Sequence, residues 1–254
     1  MSINWILSED DDTKVDVDKL HSLLNNDLKK LINAIQEYDF EVRIVGGAVR
    51  DLLMGIIPRD IDLSTTALPD ELLYIFDNHD WEIDVDGIKH GTIKVRLPNQ
   101  EKYEVTSLCY RVNDYGHTLN IVSKNDWEID ANSRDFTINT MSIDLDGNVY
   151  DYLNALSDLR NEVLRITPLN NFDVTFRDDP DRIIRFFRFL GKFENTKYQP
   201  EALIYIKKYV SGLSKLSDKR KQRELEGILS GHNPDKIIKM MCDAGADKYL
   251  PIKC

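Results

Sequence analysis

The segment from Glu41 to Leu63 restricts the fold of this 254-residue chain more than any other. A short β-branched run, EVRIV, meets a Gly-Gly pair and is followed by the helix-like AVRDLLM. After Pro58 comes RDIDL (Arg59–Leu63), a second strand-like run. The order of strand, glycine turn, helix and strand predicts a domain of mixed α and β structure.

The second of these runs carries two aspartates at a spacing that suits a metal ion. Side chains alternate between the two faces of a strand, so Asp60 and Asp62 are expected on one face and Ile61 and Leu63 in the core. Mg²⁺ prefers oxygen ligands and is commonly held by one or two carboxylates together with substrate phosphates. A bare DxD is more often a surface strand with alternating charges, but GG, RD and DxDL at this spacing favour a two-carboxylate metal clamp.

The glycine pair predicts a phosphate site next to the metal. Gly46 and Gly47 lie between the strand and the helix, where a missing side chain lets the backbone approach an anion and point N–H groups at it. Arg50 follows one helical turn later and is expected to contact phosphate.

Further along, the sequence divides into a mixed part and a helical part. A helix is expected over 16–38, and strands over 81–85, 92–97, 102–108, 118–121, 140–144 and 149–152, the last after the turn Asp146-Gly147. From Phe172 onward the periodicity is helical, with helices expected at 179–191, 200–210, 217–230 and 234–244. We place a domain boundary at residue 168, which gives domains 1–168 and 169–254.

The charge distribution separates the chain in a similar way. The net charge is −11, but residues 1–176 carry 16 Lys and Arg against 33 Asp and Glu, and residues 177–254 carry 17 against 11, so the parts carry −17 and +6. An acidic part that holds metal and a basic part that holds RNA would explain this difference, and so would two simply solvated surfaces. The basic residues expected to contact RNA include Lys207, Lys208, Lys219, Arg220 and Lys221.

Composition also bears on location and on redox chemistry. No apolar run approaches the ~18 residues of a membrane span, and the acidic start is unlike a basic targeting peptide, so no membrane contact and a cytoplasmic location are expected. Cys109, Cys242 and Cys254 have no spacing typical of a zinc site or a disulfide framework, and we interpret them as buried or incidental thiols.

From about Val42 to Ile252 the chain resembles the class II tRNA nucleotidyltransferases, which comprise the CCA-adding enzymes and the related bacterial poly(A) polymerases. The resemblance implies an α+β fold, with a polymerase-β-like nucleotidyltransferase head of mixed sheet and helices followed by an all-helical neck. Asp60 and Asp62 match the family's metal-binding aspartates. HGTIKVR (His90–Arg96) leads to YEVTSL (Tyr103–Leu108), in which Glu104 matches the third active-site carboxylate.

Two later motifs resemble the family's nucleotide-binding segment and its hinge. In SRDFTINTM, Arg134, Asp135 and Asn139 match residues that contact the ribose of the incoming nucleotide, although the family usually has a second arginine at Ser133. DLDGNVYDYLNALSDL (Asp144–Leu159) resembles the hinge between head and neck. Its carboxylates Asp144, Asp146 and Asp151 are more simply interpreted as turn and cap residues.

DDPDRIIRFFRF (Asp178–Phe189) resembles the motif that selects the base. The resemblance implies that Asp179 and Arg182 hydrogen-bond with the base edge of CTP or ATP, and Arg185 lies one turn further, suited to phosphate. Considered without the other motifs, an N-cap with an i,i+3 ion pair explains the same residues. LSDKRKQRELEGIL (Leu216–Leu229) resembles the family's helix-turn motif that supports the neck.

Together the motifs imply addition of CMP and AMP from CTP and ATP to the 3′ end of tRNA, with two Mg²⁺ ions as cofactors. The Cys109–Asn125 stretch lies where the family has a loop linked to addition of the final A, which favours CCA addition. Family members normally continue past the neck into body and tail domains, whereas this chain stops at Cys254. The alternatives are CC-adding, A-adding and poly(A) polymerase activity, and a non-catalytic RNA-binding protein, against which the carboxylate trio argues. The oligomeric state stays open.

Overall fold

The computed structural model describes Leu7 and residues 13–108, 110–112, 118–120, 127–168 and 171–254. These residues form two compact units. The first contains the described residues up to Arg134 together with Ile138–Ala155, and the second contains Asp135–Thr137 and Leu156–Cys254. The expected α+β class is confirmed by a mixed sheet with helices in the first unit and a largely helical second unit.

The first unit is built on a seven-stranded mixed sheet. Its described helices are α1 (Val17–Leu23), α2 (Asn26–Gln36), α3 (Gly47–Leu53), α4 (Pro69–Asp77) and α5 (Trp127–Ser133). Its strands are β1 (Val42–Val45), β2 (Asp62–Thr65), β3 (Glu82–Asp84), β4 (Thr92–Arg96), β5 (Lys102–Ser107), β6 (Tyr110–Val112), β7 (Thr118–Asn120), β8 (Ser142–Ile143) and β9 (Val149–Tyr150). The sheet order is β3-β4-β5-β2-β1-β8-β9, and β6 pairs with β7 separately.

The central strands fix which residues share a face of the sheet. β1 pairs antiparallel with β2, and β2 pairs parallel with β5, which in turn pairs antiparallel with β4. Ile44, Leu63 and Val105 occupy one registered row and are buried, because apolar side chains at alternate positions face the core.

The helix expected over 16–38 is two helices. Leu24 has extended backbone angles (φ −99°, ψ 130°) and ends α1. The Asn25 side chain then accepts a hydrogen bond from the Leu28 backbone N–H at 2.7 Å and caps α2. The apolar periodicity continues across the break, so periodicity alone does not reveal it, whereas Asn is a favoured N-cap residue.

In the second unit, helices surround an aromatic core. Its elements are α6 (Ala155–Arg160), which begins at the last residue of the first unit, β10 (Val163–Leu164), α7 (Phe172–Asp178), α8 (Asp181–Leu190), β11 (Lys197–Tyr198), α9 (Glu201–Tyr209), α10 (Asp218–Leu229) and α11 (Pro234–Asp243). Phe136, Phe176 and Phe186 are fully buried, and the Phe186 ring contacts the rings of the other two. The parallel pair β10-β11 was not part of the all-helical expectation.

The units divide between Ala155 and Leu156, earlier in the chain than the domain boundary expected at residue 168. Contacts of α6 account for the difference. The Thr137 hydroxyl donates a hydrogen bond to the Asp158 carboxylate, and Arg165 forms an ion pair with the same carboxylate at 2.8 Å. A functional boundary at residue 168 stays a prediction.

A buried carboxylate connects α8 and α10. Glu224 is fully buried, and its oxygens lie 3.2 Å from Arg188 Nε and 3.1 Å from Arg220 Nη2. Arg220 also donates from Nε to Asp181 at 2.7 Å. A buried carboxylate requires such partners, because desolvating an unpaired charge costs several kcal/mol.

The interpretation of the cysteines as thiols without a disulfide is wrong for two of them. Cys242, on α11, and Cys254 form a disulfide, with a Cα–Cα distance of 5.8 Å. Sequence spacing did not reveal the pair because the intervening turn after α11, which includes Gly245 at positive φ, determines their proximity. Among the described residues, no helix combines the length and apolar character needed to cross a membrane.

Candidate active site

Charged residues form one row across four strands of the first unit. Asp84 on β3 is in register with Lys94 on β4, Lys94 with Glu104 on β5, and Glu104 with Asp62 on β2. Side chains in register on neighbouring strands project from the same face. The structure therefore brings Asp62 and Glu104 side by side, as their predicted role requires, and both residues are exposed.

Asp60 lies outside the strand, contrary to the prediction of one strand over Arg59–Leu63. β2 begins at Asp62, and Asp60 occupies the preceding bend and is exposed. Ile61 is partly exposed and Leu63 is fully buried. The strand begins late because β1, its antiparallel partner, already ends at Val45, which is paired with Asp62. Strand alternation therefore does not fix the direction of the Asp60 side chain.

Lys94 was not predicted as part of this site. Its Nζ lies 3.0 Å from Glu104 Oε1, and about half of each side chain is exposed. The hydrogen bond to Glu104, followed by the charge of that carboxylate, raises the pKa of Lys94, so the ammonium form is favoured. The pairing follows from the β4-β5 register, which the sequence motifs HGTIKVR and YEVTSL do not specify.

The glycine turn forms as predicted, but Arg50 is not exposed to solvent. Gly46 has φ 73° and ψ −138°, a backbone conformation nearly restricted to glycine, and α3 starts at Gly47. Arg50 is only 6% exposed. Its Nη1 donates to Asn139 Oδ1 at 2.6 Å and its Nε donates to Asp51 Oδ1 at 3.0 Å. Two predicted nucleotide-binding residues, Arg50 and Asn139, thus form a buried pair beneath the turn.

Arg134 is held next to the same turn. Its Nη2 donates to Asp130 Oδ2 at 2.8 Å and to Ser64 Oγ at 3.3 Å. A Cβ atom added to Gly46 would lie 3.2 Å from Arg134 Nη1, so the absence of a side chain at Gly46 makes room for the guanidinium. Asp130 was not predicted, although its i,i+4 spacing from Arg134 is the usual signal for a helical ion pair. Ser133, where the family usually has arginine, donates from Oγ to the Asp130 carbonyl.

Arg43 lies on the same face of the sheet as Asp62, because it is in register with Ser64, and it contacts two aromatic rings. The Arg43 guanidinium carbon lies 4.0 Å from the Trp127 ring centroid and 3.5 Å from that of Tyr150. Glu41 accepts hydrogen bonds from Arg43 Nη2 and Trp127 Nε1. These four residues are far apart in sequence, apart from Glu41 and Arg43, so no local pattern identified them.

The hinge carboxylates serve turns and caps, as the simpler interpretation predicted. Asp144 Oδ1 accepts from the Asn148 backbone N–H, and Oδ2 accepts from the Tyr150 hydroxyl. Asp151 Oδ1 accepts from the backbone N–H groups of Leu153 and Ala155 at the start of α6. The interpretation is thus confirmed for Asp144 and Asp151.

In the second unit, Asp135 pairs with Arg185. Arg185 Nε donates to Asp135 Oδ2 at 2.7 Å, and Asp135 Oδ1 accepts from the Phe136 backbone N–H. Burial lowers the pKa of Arg185, but the adjacent Asp135 charge and hydrogen bond more than offset this, and the net shift is upward. Arg185 thus has a carboxylate partner. Contact of Arg185 with phosphate stays a prediction.

Asp179 and Arg182 lie together where α7 ends and α8 begins. Asp179 is extended and precedes Pro180, which disfavours helical angles in the residue before it. Its Oδ1 accepts from the Asp181 backbone N–H at 3.1 Å, and its Oδ2 lies 3.4 Å from Arg182 Nε. Both the helix-capping contact and the i,i+3 ion pair are therefore present. Base selection by these two residues stays a prediction.

Most of the Cys109–Asn125 stretch, on which the expectation of final A addition rests, lies outside the described residues. The structure gives the backbone of β6 and β7 within it and their antiparallel pairing.

The chemistry and placement of Asp62 and Glu104 fit a divalent cation. Both supply hard oxygen ligands, and adjacent strands lie roughly 4.8 Å apart, so two registered carboxylates can reach one ion. In the part of the chain that the structure describes, no group of three or more Asp, Glu, His or Cys residues is arranged to hold a metal ion. Mg²⁺ is commonly held by one or two carboxylates together with substrate phosphates, and Asp62 and Glu104 supply two such carboxylates.

A mixed sheet with a glycine turn and two registered carboxylates is the arrangement of a nucleotidyltransferase head, and residues 42–165 match the poly A polymerase head domain. The mitochondrial CCA tRNA nucleotidyltransferase 1 of Danio rerio is 37% identical over 234 residues, which are 91% of this chain and 54% of that protein. The Bacillus stearothermophilus CCA-adding enzyme in complex with CTP has a TM-score of 0.74 at 27% identity, covering 89% of this chain and 53% of that one. A CCA-adding enzyme with ATP has a TM-score of 0.68 at 26% identity, covering 91% and 55%.

The chain belongs to the family of CCA-adding tRNA nucleotidyltransferases and related poly(A) polymerases. It spans about half the length of the curated relatives that it matches.

Proposed function

We propose that this chain adds CMP and AMP, taken from CTP and ATP, to the 3′ end of tRNA. The observation that carries the proposal is the registered pair Asp62 and Glu104 on neighbouring strands of the head. The similarity to CCA-adding enzymes, of which one structure holds CTP and another ATP, supports these substrates. The cytoplasmic location expected from the sequence also stays a prediction, since the Danio rerio relative is described as mitochondrial.

In the proposed reaction, the 3′-hydroxyl of the RNA attacks the α-phosphate of the nucleotide. A new P–O bond forms, the bond between the α-phosphorus and the bridging oxygen breaks, and pyrophosphate leaves. Asp62 and Glu104 would hold Mg²⁺ ions, which when bound stabilise the attacking and leaving oxygens, and a role for Asp60, in the bend before β2, as a further ligand stays a prediction. The protein's main contribution is to position the reactants and to neutralise charge.

The remaining predicted residues are assigned to the nucleotide. Asp179 and Arg182 select the base, because CTP and ATP both present an amino donor beside a ring-nitrogen acceptor. Gly46 and Gly47 offer backbone N–H groups to phosphate. Contacts of Arg134, Asp135 and Asn139 with the ribose, and of Arg50 and Arg185 with phosphate, belong to the same proposal, although Arg50 reaches phosphate only if its buried partners are exchanged.

The test is a product assay with the full chain. tRNA transcripts ending before CCA, after C, and after CC are incubated with Mg²⁺ and with each nucleotide singly or with CTP and ATP together, and the products are resolved at single-nucleotide length. Addition of CCA supports the proposal. Addition that stops at CC, addition of A alone, or a run of A identifies the corresponding alternative, and tRNA binding without any product identifies a non-catalytic RNA-binding protein.

A further inference from the structure

The charged row places one cation among three carboxylates. Lys94 lies between Asp84 and Glu104 in register, and Glu104 lies between Lys94 and Asp62. The ammonium is therefore on the opposite side of Glu104 from Asp62. It contacts Glu104 Oε1 at 3.0 Å, through side chains that are 41% and 49% exposed.

This position puts Lys94 in competition with a metal ion. A cation bound between Asp62 and Glu104 uses the carboxylate that Lys94 already contacts. Because Lys94 is part of the protein, its ammonium is next to Glu104 at every metal concentration. Its positive charge also repels a divalent ion that binds the same carboxylate. Asp84 lies on the other side of Lys94 and offers the ammonium a second partner further from Asp62.

We propose that Lys94 is a positioning residue that competes with the divalent cation for Glu104, so that the site binds metal weakly until a nucleotide supplies phosphate oxygens. In this scheme Lys94 moves towards Asp84 when metal binds Glu104. The inference rests on the proposed function, because it takes Asp62 and Glu104 as metal ligands.

The first test measures binding of Mn²⁺, which takes the same oxygen ligands as Mg²⁺, by the electron paramagnetic resonance signal of the free ion. Binding is measured without and with CTP, in the absence of RNA, so that activity is not the readout. Lys94→Met should lower the dissociation constant for Mn²⁺ without CTP roughly 3- to 10-fold, and less when CTP is present.

Lys102→Met is the matched control. Lys102 is exposed and lies two residues before Glu104 on the same strand, but it is in register with Arg96 rather than with a carboxylate. An equal gain in affinity for Lys102→Met would mean that net charge alone acts, and would overturn the proposal. So would an unchanged affinity in Lys94→Met.

A double-mutant cycle tests the second partner. Asp84→Asn should weaken Mn²⁺ binding in the wild-type background, because Lys94 then loses its registered carboxylate on β3, and should have little effect in the Lys94→Met background. Equal effects in both backgrounds would contradict the movement of Lys94 towards Asp84. Asp62→Asn separates the two levels of inference: if it leaves Mn²⁺ binding unchanged, with and without CTP, the metal site of the proposed function itself is wrong.

Discussion

At the scale of single residues, the proposed chemistry depends most on Asp62. Replacing it with Asn keeps the shape of the side chain and removes the charge that would hold metal. We expect Asp62→Asn to abolish transfer of every nucleotide, because the metal ions are then not held in place. Transfer is measured by the product assay, and folding by circular dichroism and thermal denaturation.

Asp77→Asn is the matched control for this change. Asp77 is an exposed carboxylate at the end of α4, and its loss should leave transfer unchanged. Near-normal transfer by Asp62→Asn would remove Asp62 from the catalytic residues.

The choice of base is expected to depend on Asp179 and Arg182. UTP and GTP present donors and acceptors in the reverse order to CTP and ATP, so a carboxylate and a guanidinium in fixed positions reject them. Loss of one charge-assisted hydrogen bond of ~1.5–3 kcal/mol should relax discrimination by roughly 10- to 150-fold. Arg182→Ala should therefore increase the relative use of UTP or GTP, measured as the ratio of kcat/KM values, while the metal requirement stays unchanged.

Arg177→Ala provides a comparison within the same unit. Arg177 forms ion pairs with Asp173 and Asp178 and has no assigned role in base selection. If Arg182→Ala lowered the use of all four nucleotides equally, as a purely structural change would, Asp179 and Arg182 would be only a cap and an ion pair.

At this scale, the sequence predicted which residues lie in the site better than it predicted the contacts that those residues make. Glu104 was placed with Asp62 through the resemblance to the family, in which it matches the third active-site carboxylate, and the register of β2 with β5 brings the two side by side. The burial of Arg50 did not follow, since Asn139, its partner, lies 89 residues away. The contact between Lys94 and Glu104 also depends on strand register, which no local pattern specifies.

At the scale of elements, the turn between β1 and α3 makes the clearest prediction. Gly46→Ala places a side chain at a φ of 73° and 3.2 Å from Arg134 Nη1. We expect the free energy of unfolding to fall by about 1–3 kcal/mol. Because Arg134 must also shift, the rate of transfer should fall roughly 10- to 100-fold. Urea unfolding and single-turnover transfer measure the two effects.

Gly245→Ala separates backbone strain from crowding. Gly245 has a similar φ of 81°, but a Cβ atom there would meet nothing within 4 Å. It should cost about 1–2 kcal/mol of stability and leave transfer unchanged. If both variants lost stability but neither lost activity, the contact between Gly46 and Arg134 would have no part in the reaction.

Some elements were predicted from periodicity or turn signals, whereas others were missed, including α4, which has a proline at its first position. The expected helices at 200–210, 217–230 and 234–244 correspond to α9, α10 and α11. α7 was not predicted, because its apolar residues merge with the start signal for α8 at Asp178-Asp179-Pro180. The break between α1 and α2 depends on one capping side chain, Asn25, within an unbroken apolar pattern.

At the scale of the molecule, the basic residues of the second unit should bind RNA in a salt-dependent way. The structure separates the residues expected to bind RNA by the ion pairs that they form. Lys208 pairs with Asp173, and Arg220 pairs with Asp181 and Glu224. Lys207 and Lys219 are exposed. Each of Lys207→Met and Lys219→Met should weaken tRNA binding and reduce the slope of log affinity against log salt by about 1.

Fluorescence anisotropy at several salt concentrations measures this slope, and Lys89→Met, an exposed lysine of the acidic first unit, serves as the control. An equal reduction in slope for Lys89→Met would show that net charge, rather than the basic segment, determines binding. An unchanged slope in both second-unit variants would place the phosphate contacts elsewhere.

Residues Asp135–Thr137 belong to the second unit, although the first unit supplies the chain on both sides of them. Asp135 is separated from its partner Arg185 by 50 residues, and Phe136 packs against rings of α8. During synthesis these three residues are added before α8, so Phe136 cannot pack against the rings of α8 while the rest of the first unit is being added. The time at which Phe136 is buried is therefore set by translation of α8, and no single cut in the backbone yields both units with all their residues.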